Sequence, residues 1–253
     1  MSGHIESDKK DYRNAAPDWK WVWRLGGIAA FILMAYCVAV MVQIVALGGP
    51  PASASEAFQL LRENRIVGLL RLDLPTMFAM PVYYVLFLAL YAALKSDDGP
   101  IAALGTVLAF AGLTLFLAAP SALSMASLTD KYAAASTDAA RAQFLAAGEA
   151  VMATDIWHGT SAKIGGALMQ VGAVLMCAVM LRGGVFGRVT AWIGIAMYGL
   201  DLTHIFATIW LPVAGVVLMA IAGPLYPVWF FLVGRRLVRL SAEISVRTTS
   251  AGA

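Results

Sequence analysis

Long apolar stretches alternate with short polar ones along most of this 253-residue chain. A helix needs about 20 mostly apolar residues to cross a bilayer. Six stretches reach this length, so the pattern predicts an all-α membrane protein built as a bundle of six transmembrane helices. The predicted spans are residues 22–47, a stretch within 66–94, 101 to about 126, about 151 to 181, 189 to about 211, and 212–233.

The polar ends of the chain define its expected organisation. Residues 1–20 are predicted to form a cytoplasmic tail, residues 21–238 the six-helix transmembrane domain, and residues 239–253 a second cytoplasmic tail. No short apolar region with a small-residue cleavage site is visible near the start of this sequence. The first apolar stretch is therefore expected to act both as the insertion signal and as the first helix.

Lysine and arginine are divided unequally between the two sides that six spans create. Twelve share a side with both tails: Lys9, Lys10, Arg13, Lys20, Arg24, Lys95, Arg182, Arg188, Arg235, Arg236, Arg239 and Arg247. Five lie opposite, with Lys163 assigned to neither side: Arg62, Arg65, Arg71, Lys131 and Arg141. Cytoplasmic loops are enriched in these residues, so both termini are expected in the cytoplasm. An inner aromatic belt is expected at Trp19, Trp21, Trp23 and Trp229.

The two longer connections, residues 50–65 and 127–150, fall on the predicted outer side. Both contain helix-like patterns, and Ser136-Thr137-Asp138 offers a helix N-cap in the second. These segments are predicted to form short interfacial helices on the outer face of the membrane.

The composition supports a membrane location and reduces the number of partner classes to consider. Only 13% of the residues are charged and 60% are apolar, whereas soluble domains carry about 25% charged residues. The Ala-, Val- and Gly-rich composition suits a bacterial inner membrane. The net charge of +3 comes without a basic run, which argues against a nucleic-acid partner and leaves the lipid bilayer as the expected one. Cys37 and Cys177 are isolated in apolar runs and are expected to be small core residues.

An Asp-x-x-His spacing occurs twice, at Asp155–His158 and Asp201–His204. Residues three apart share a face of a helix. A rise of 1.5 Å per residue from the predicted inner boundary places Asp201 about 20 Å into the membrane. An ionised carboxylate there costs several kcal/mol unless it is paired or protonated. Its candidate partners are Lys163, His158 and His204, and a purely structural pair with Lys163 is the leading alternative to a functional site.

Counting residues along each predicted span from its inner end places other polar residues at the same outer end of the bundle. We therefore expect one outward-facing polar cluster. Several have local explanations: Asp73 precedes Pro75 as a helix cap would, and Lys163 can extend its amine to the lipid headgroups. The candidate binding-pocket residues are Asp73, Ser121, Ser124, Asp155, His158, Lys163, Asp201 and His204.

The doubled spacing also permits a metal hypothesis. Helix bundles bind metals through Glu-x-x-His motifs on facing helices, and zinc accepts Asp and His ligands. Asp155, His158, Asp201 and His204 are therefore candidate ligands of Zn or Fe, provided that the two pairs meet in one pocket.

Three short sequences resemble a large uncharacterised bacterial family, known as domain of unknown function 4386. They are "NRIVGLLRLDL" from Asn64, "GRVTAWIGIAMYGL" from Gly187 and "YPVWFFLVGRRL" from Tyr226. The resemblance implies six spans and no assigned activity, and it transfers no catalytic residue.

Three classes of function remain open. The polar cluster could lock the bundle structurally, or bind a small or lipid-like molecule in a sensor or transporter. The alternative is a metal-dependent intramembrane enzyme that uses the paired Asp-x-x-His motifs. A transporter would expose the cluster to water from both sides in turn, an enzyme from the outer side alone, and a structural lock from neither.

Overall fold

The structure, a computed structural model, describes residues 19–119 and 122–251. These residues form α-helices joined by turns, with no strand among them, which confirms the all-α prediction. The helices are α1 (Lys20–Leu47), α2 (Ala54–Glu63), α3 (Arg65–Arg71), α4 (Leu74–Leu117), α5 (Ala122–Ala134), α6 (Asp138–Ala153), α7 (Thr160–Arg182), α8 (Arg188–Trp210), α9 (Pro212–Ala222) and α10 (Leu225–Ala251).

Five helical segments in the described ranges are long and apolar enough to cross a membrane, which is compatible with a multi-pass membrane protein. They are Lys20–Leu47, the range Leu74–Ala134, which contains α4 and α5 on either side of the undescribed residues 120–121, Thr160–Arg182, Arg188–Trp210 and Val213–Glu243. Many of their large apolar side chains are exposed, such as Val45, Val213 and Trp210. Exposed apolar surface of this extent is typical of a protein whose surroundings are lipid.

Helix α4 contains a break at the position where the sequence predicted a turn. Its 44 residues include Asp98, whose backbone is extended (φ −156°, ψ 84°). The Asp98 carboxylate accepts a hydrogen bond from the Ile101 amide at 3.3 Å and lies 3.3 Å from the Arg182 guanidinium. Asp98 therefore acts as an N-cap for the second half of α4.

Two predicted span boundaries were wrong. The third span was predicted to continue to residue 126, but α4 ends at Leu117 and residues 122–134 form the separate helix α5. The fourth span was predicted from residue 151, but α7 begins at Thr160, after a turn that follows α6. Hydropathy could not detect these breaks because α5 and the end of α6 are themselves apolar.

The chain divides into two compact units. Unit 1 contains the described residues 19–35, 82–110 and 170–251. Its core is strongly aromatic, and its fully buried side chains include Phe87, Tyr198, Trp229 and Phe230. Trp229 was expected at an aromatic belt; it is instead completely buried, whereas Trp21 is 61% exposed.

Unit 2 contains residues 36–81 and the described residues of 111–169. Within it, helices α2, α3, α5 and α6 form a four-helix cluster around Ala57, Phe58 and Met125. Two hydrogen bonds of 2.7 and 3.0 Å join Arg65 to Asp130 in this cluster. The short helices predicted in the two long connections are thus confirmed as helices.

Local capping explains where the helices of the cluster begin. The Ser53 hydroxyl accepts a hydrogen bond from the Glu56 amide at 3.2 Å, and the Thr137 hydroxyl caps α6 through the Ala140 amide. Such caps satisfy amides that have no partner inside the helix. The predicted cap at residues 136–138 is therefore confirmed, with Thr137 as the capping residue.

Candidate functional site

Asp201 lies on α8 in unit 1, and two neutral side chains bind its carboxylate. The Gln170 side-chain amide on α7 donates a hydrogen bond to Asp201 Oδ2. The Tyr226 hydroxyl on α10 donates to the same oxygen at 2.7 Å. The three helices of unit 1 are therefore joined at one carboxylate oxygen, and neither donor carries a charge.

The other end of the Gln170 amide has no partner among the described residues. Gln170 is 98% buried, and its Oε1 atom makes no hydrogen bond. A buried acceptor without a donor costs about 1–3 kcal/mol. Asp201 is itself partly exposed. The site therefore combines the partly exposed carboxylate of Asp201 with the deeply buried Gln170 Oε1, which lacks a donor among the described residues.

His204 follows one turn after Asp201 and connects α8 to α9. Its Nδ1 atom lies 2.8 Å from the carbonyl oxygen of Gly215. A carbonyl can only accept, so Nδ1 donates this hydrogen bond. A side chain at Gly215 would collide with Thr208, so the glycine permits this close approach of α8 and α9.

A break between α9 and α10 lies next to the Asp201 site along the chain. Helix α9 ends at Ala222, Gly223 and Pro224 form a turn, and Tyr226 is the second residue of α10. Proline has no amide hydrogen, so Pro224 cannot donate to the carbonyl of Ala220. Breaks of this kind in membrane helices are tolerated where neighbouring groups or a cavity compensate for the lost hydrogen bond.

Aromatic rings surround Tyr226 in unit 1. Its ring centroid lies 5.8 Å from that of Tyr198 and 6.0 Å from that of Phe230. Trp229 in turn lies 5.2 Å from Tyr198 in an edge-to-face arrangement. These contacts fix the orientation of the Tyr226 ring and therefore the direction of its hydroxyl.

The first Asp-x-x-His pair is a turn in unit 2, and the expectation that it shares a helix face was wrong. Asp155 Oδ1 accepts hydrogen bonds from the amides of Trp157 at 2.8 Å and His158 at 2.9 Å. The same oxygen lies 3.0 Å from His158 Nδ1. Asp155 therefore orients the imidazole ring, whose side chain is 61% exposed. Its Nε2 atom points away from the carboxylate.

Asp73 is the N-cap residue of α4, as predicted, but its side chain makes no capping hydrogen bond. Its backbone is left-handed (φ 62°), which is strained for a residue other than glycine. Its carboxylate instead accepts a hydrogen bond from the Thr76 hydroxyl, which also contacts the Tyr36 hydroxyl on α1. Burial raises the pKa of Asp73 above its ordinary value, the Thr76 hydrogen bond opposes this rise, and the charge of Asp155 adds to it.

The remaining candidates have less defined roles. Ser124 lies on α5, partly buried, and Lys163 lies in the first turn of α7, also partly buried. Ser121 lies outside the described residues. A cavity of about 30 Å³ in unit 2 is lined by Asp155, His158 and otherwise apolar side chains that include Leu72.

Asp155 and His158 belong to unit 2, whereas Asp201 and His204 belong to unit 1. The convergence of the two pairs on one pocket therefore stays a prediction. Within the described residues, no group of three or more His, Cys, Asp or Glu side chains is arranged around a common point. The Zn or Fe hypothesis also stays a prediction.

Sequence reasoning missed the residues that bind the two buried carboxylates. Gln170 could have been found, because it is the single amide side chain in the apolar run "IGGALMQVGAVLM". Tyr226 could have been found from its position just after Gly223-Pro224. Thr76 and Tyr36 gave no signal, since hydroxyl groups are common in membrane helices. Comparison of the chain with protein-family models, with curated proteins and with solved structures gave no match.

Proposed function

We propose that this protein crosses the membrane six times and binds a small or lipid-like molecule at Asp201, as a transporter or sensor does. One observation carries the proposal: the buried side of the Asp201 carboxylate is held by Gln170 and Tyr226, two neutral donors. An ionisable residue inside a membrane protein marks a functional site by default. A purely structural carboxylate would be expected to have a cationic partner, which cancels its charge.

The length of α4 supports six crossings. At 1.5 Å per residue its 44 residues extend about 66 Å, twice the hydrocarbon thickness of about 30 Å. The break at Asp98 lets the chain turn between two crossings. A broken sixth span at Gly223-Pro224 is also a feature of transporters, in which interrupted helices form the binding site. The six-span family known as domain of unknown function 4386 remains the proposed relative.

The distribution of basic residues leads to a first prediction, on topology. With twelve Lys and Arg residues on one side and five on the other, both termini are expected in the cytoplasm of a bacterial inner-membrane protein. A protease-cleavable C-terminal tag should be protected in intact spheroplasts and cleaved after lysis. Cleavage in intact spheroplasts would contradict the proposed orientation.

The proposed function leads to a second prediction, on access to the site. Ile205 lies one turn from Asp201 on the same face of α8. A cysteine placed there by Ile205→Cys, after Cys37→Ala and Cys177→Ala, should react with a membrane-impermeant thiol reagent. We expect reaction from both sides of the membrane for a transporter and from the outer side alone for a sensor. Protection from both sides, with Trp21→Cys on the exposed surface of α1 as the reactivity control, would contradict a binding site.

A second candidate function is a metal-dependent enzyme, and the geometry of His158 favours it. A carboxylate that binds one imidazole nitrogen and leaves the other free is the usual arrangement behind a metal ligand. Asp155 and His158 have this arrangement in unit 2. Metal analysis of protein purified in mild detergent tests this alternative, which requires about one Zn or Fe per chain that is lost in the His158→Ala variant.

A further inference from the structure

The oxygens at the Asp201 site indicate the chemistry of its ligand. Asp201 Oδ2 already accepts two hydrogen bonds within unit 1, which leaves Oδ1 as the acceptor that faces no donor among the described residues of that unit. Gln170 Oε1 is the second acceptor without a donor. Two acceptor oxygens, one of them charged, bind a group that carries both a positive charge and N–H donors.

The same site disfavours other ligand classes. An anion would be repelled by the carboxylate, and a neutral apolar molecule would leave Gln170 Oε1 without a donor. Gln170 Oε1 is thus a buried acceptor without a hydrogen-bond partner among the described residues of unit 1, and the Trp229 indole N–H is a buried donor without one.

The surroundings of the carboxylate indicate the body of the ligand. The Tyr226 ring adjoins the site and is 9% exposed, and it packs against the fully buried rings of Tyr198 and Phe230. Aromatic faces attract ammonium groups electrostatically and bind apolar carbon skeletons. The neighbouring parts of α8 and α9 expose large apolar residues, among them Phe206 and Val213. A ligand whose polar end binds Asp201 is therefore expected to pack its apolar body against these exposed side chains.

We propose that the ligand is a hydrophobic organic amine, bound as its ammonium ion, with the charged nitrogen between Asp201 and Gln170 Oε1. The proposal rests on the proposed function, because it assigns a ligand class to the same site. The ammonium N–H groups donate to Asp201 Oδ1 and Gln170 Oε1, and the apolar body lies against the exposed apolar side chains of α8 and α9, among them Phe206 and Val213. Binding then supplies the missing donor to Gln170, so the site gains a hydrogen bond that the free protein lacks.

Binding of 2-phenylethylamine to the purified full-length protein in detergent tests this assignment. Isothermal titration calorimetry at neutral pH should detect binding of the amine. The affinities for 2-phenylethanol and 3-phenylpropionate should be weaker by at least about tenfold. The trimethylammonium analogue of the amine should also be weaker, because it has no N–H to give to Gln170. Equal binding of the alcohol, or saturation by sodium ions with no response to the amine, would overturn the assignment.

Variants locate the binding. Asp201→Asn should weaken amine binding about thirtyfold or more, because it removes the charge that faces the ammonium while keeping an acceptor for Gln170 and Tyr226. Tyr226→Phe should weaken it less, because the charge remains. Asp138→Asn, which removes an exposed carboxylate at the start of α6, is the matched control and should leave binding unchanged. A circular dichroism thermal scan of each variant shows whether its fold is retained.

The outcomes separate this inference from the proposed function. If the thiol reagent labels the Ile205→Cys variant from both sides but the amine does not bind, the ammonium assignment is overturned. The proposed binding site is then still supported. Amine binding that persists in Asp201→Asn would place the amine elsewhere and overturn the assignment. Loss of amine binding in the Asp201→Asn variant, together with labelling of the Ile205→Cys variant from both sides, supports both the ammonium assignment and the proposed binding site.

Discussion

Replacing Gly112 with leucine is expected to destabilise the fold strongly, the largest effect of any single substitution considered for this protein. Within unit 2, a Cβ atom at Gly112 would collide with the carbonyl oxygen of Gly165 on α7 and lie 2.5 Å from the backbone nitrogen of Met169. Both obstacles are backbone atoms, which cannot rotate away. Overpacking that forces backbone shifts costs about 1–3 kcal/mol and occasionally more, and a leucine adds three further carbons to the clash.

The same close approach explains why small residues matter in this pair of helices. Helices in a membrane gain little from the hydrophobic effect between them and depend on tight packing, which glycine permits. We expect Gly112→Leu to lower the free energy of unfolding by about 3 kcal/mol or more. Size-exclusion chromatography and thermal unfolding in mild detergent measure the effect.

Gly199→Leu is the matched control for this prediction. Gly199 lies in α8, another long apolar helix, but a Cβ atom there meets no atom within 4 Å. The substitution should therefore leave the melting temperature nearly unchanged. A Gly112→Leu variant that is as stable as Gly199→Leu would show that α4 and α7 do not approach closely at Gly112.

The second large effect is expected at Tyr226, whose hydroxyl donates the 2.7 Å hydrogen bond to Asp201. Tyr226→Phe removes this donor while keeping the aromatic ring and its packing. A hydrogen bond to a charged group contributes about 1.5–3 kcal/mol, and the loss leaves a partly buried carboxylate with Gln170 as its single donor among the described residues of unit 1. We expect the free energy of unfolding to fall by this amount.

A double-mutant cycle isolates the interaction. Asp201→Asn alone should be tolerated, because a neutral amide is cheaper to bury and still accepts from both donors. Tyr226→Phe should cost less in the Asp201→Asn background than in the wild type, with a coupling of about 1–2 kcal/mol. Tyr132→Phe is the control, since its ring packs against Phe58 and its hydroxyl makes no hydrogen bond among the described residues. Equal costs in both backgrounds would contradict the Tyr226–Asp201 bond.

Features that depend on neighbours in the sequence were predicted well. The long apolar helices follow from the hydropathy of consecutive residues, since each helix satisfies its own backbone hydrogen bonds within lipid. The predicted cap at Thr137 follows from a hydroxyl that binds an amide three residues away, and the caps at Ser53 and Asp98, which were not predicted, have the same local cause. The sequence by itself therefore determined the all-α class and, to within two residues, the boundaries of α1 and α8.

Features that depend on distant residues were decided only by the tertiary structure. Asp201 binds Gln170 and Tyr226, which lie 31 and 25 residues away along the chain, and no local pattern selects them over Lys163 or His204. Helix α5 resembles the end of a membrane span by hydropathy, yet it packs into the four-helix cluster because Met125 and Ala126 fit against Phe58. Hydropathy adds up over neighbouring residues and cannot distinguish burial in lipid from burial against another helix. The partners of a buried polar group are fixed by which helices meet, and that is settled only when the whole chain has packed.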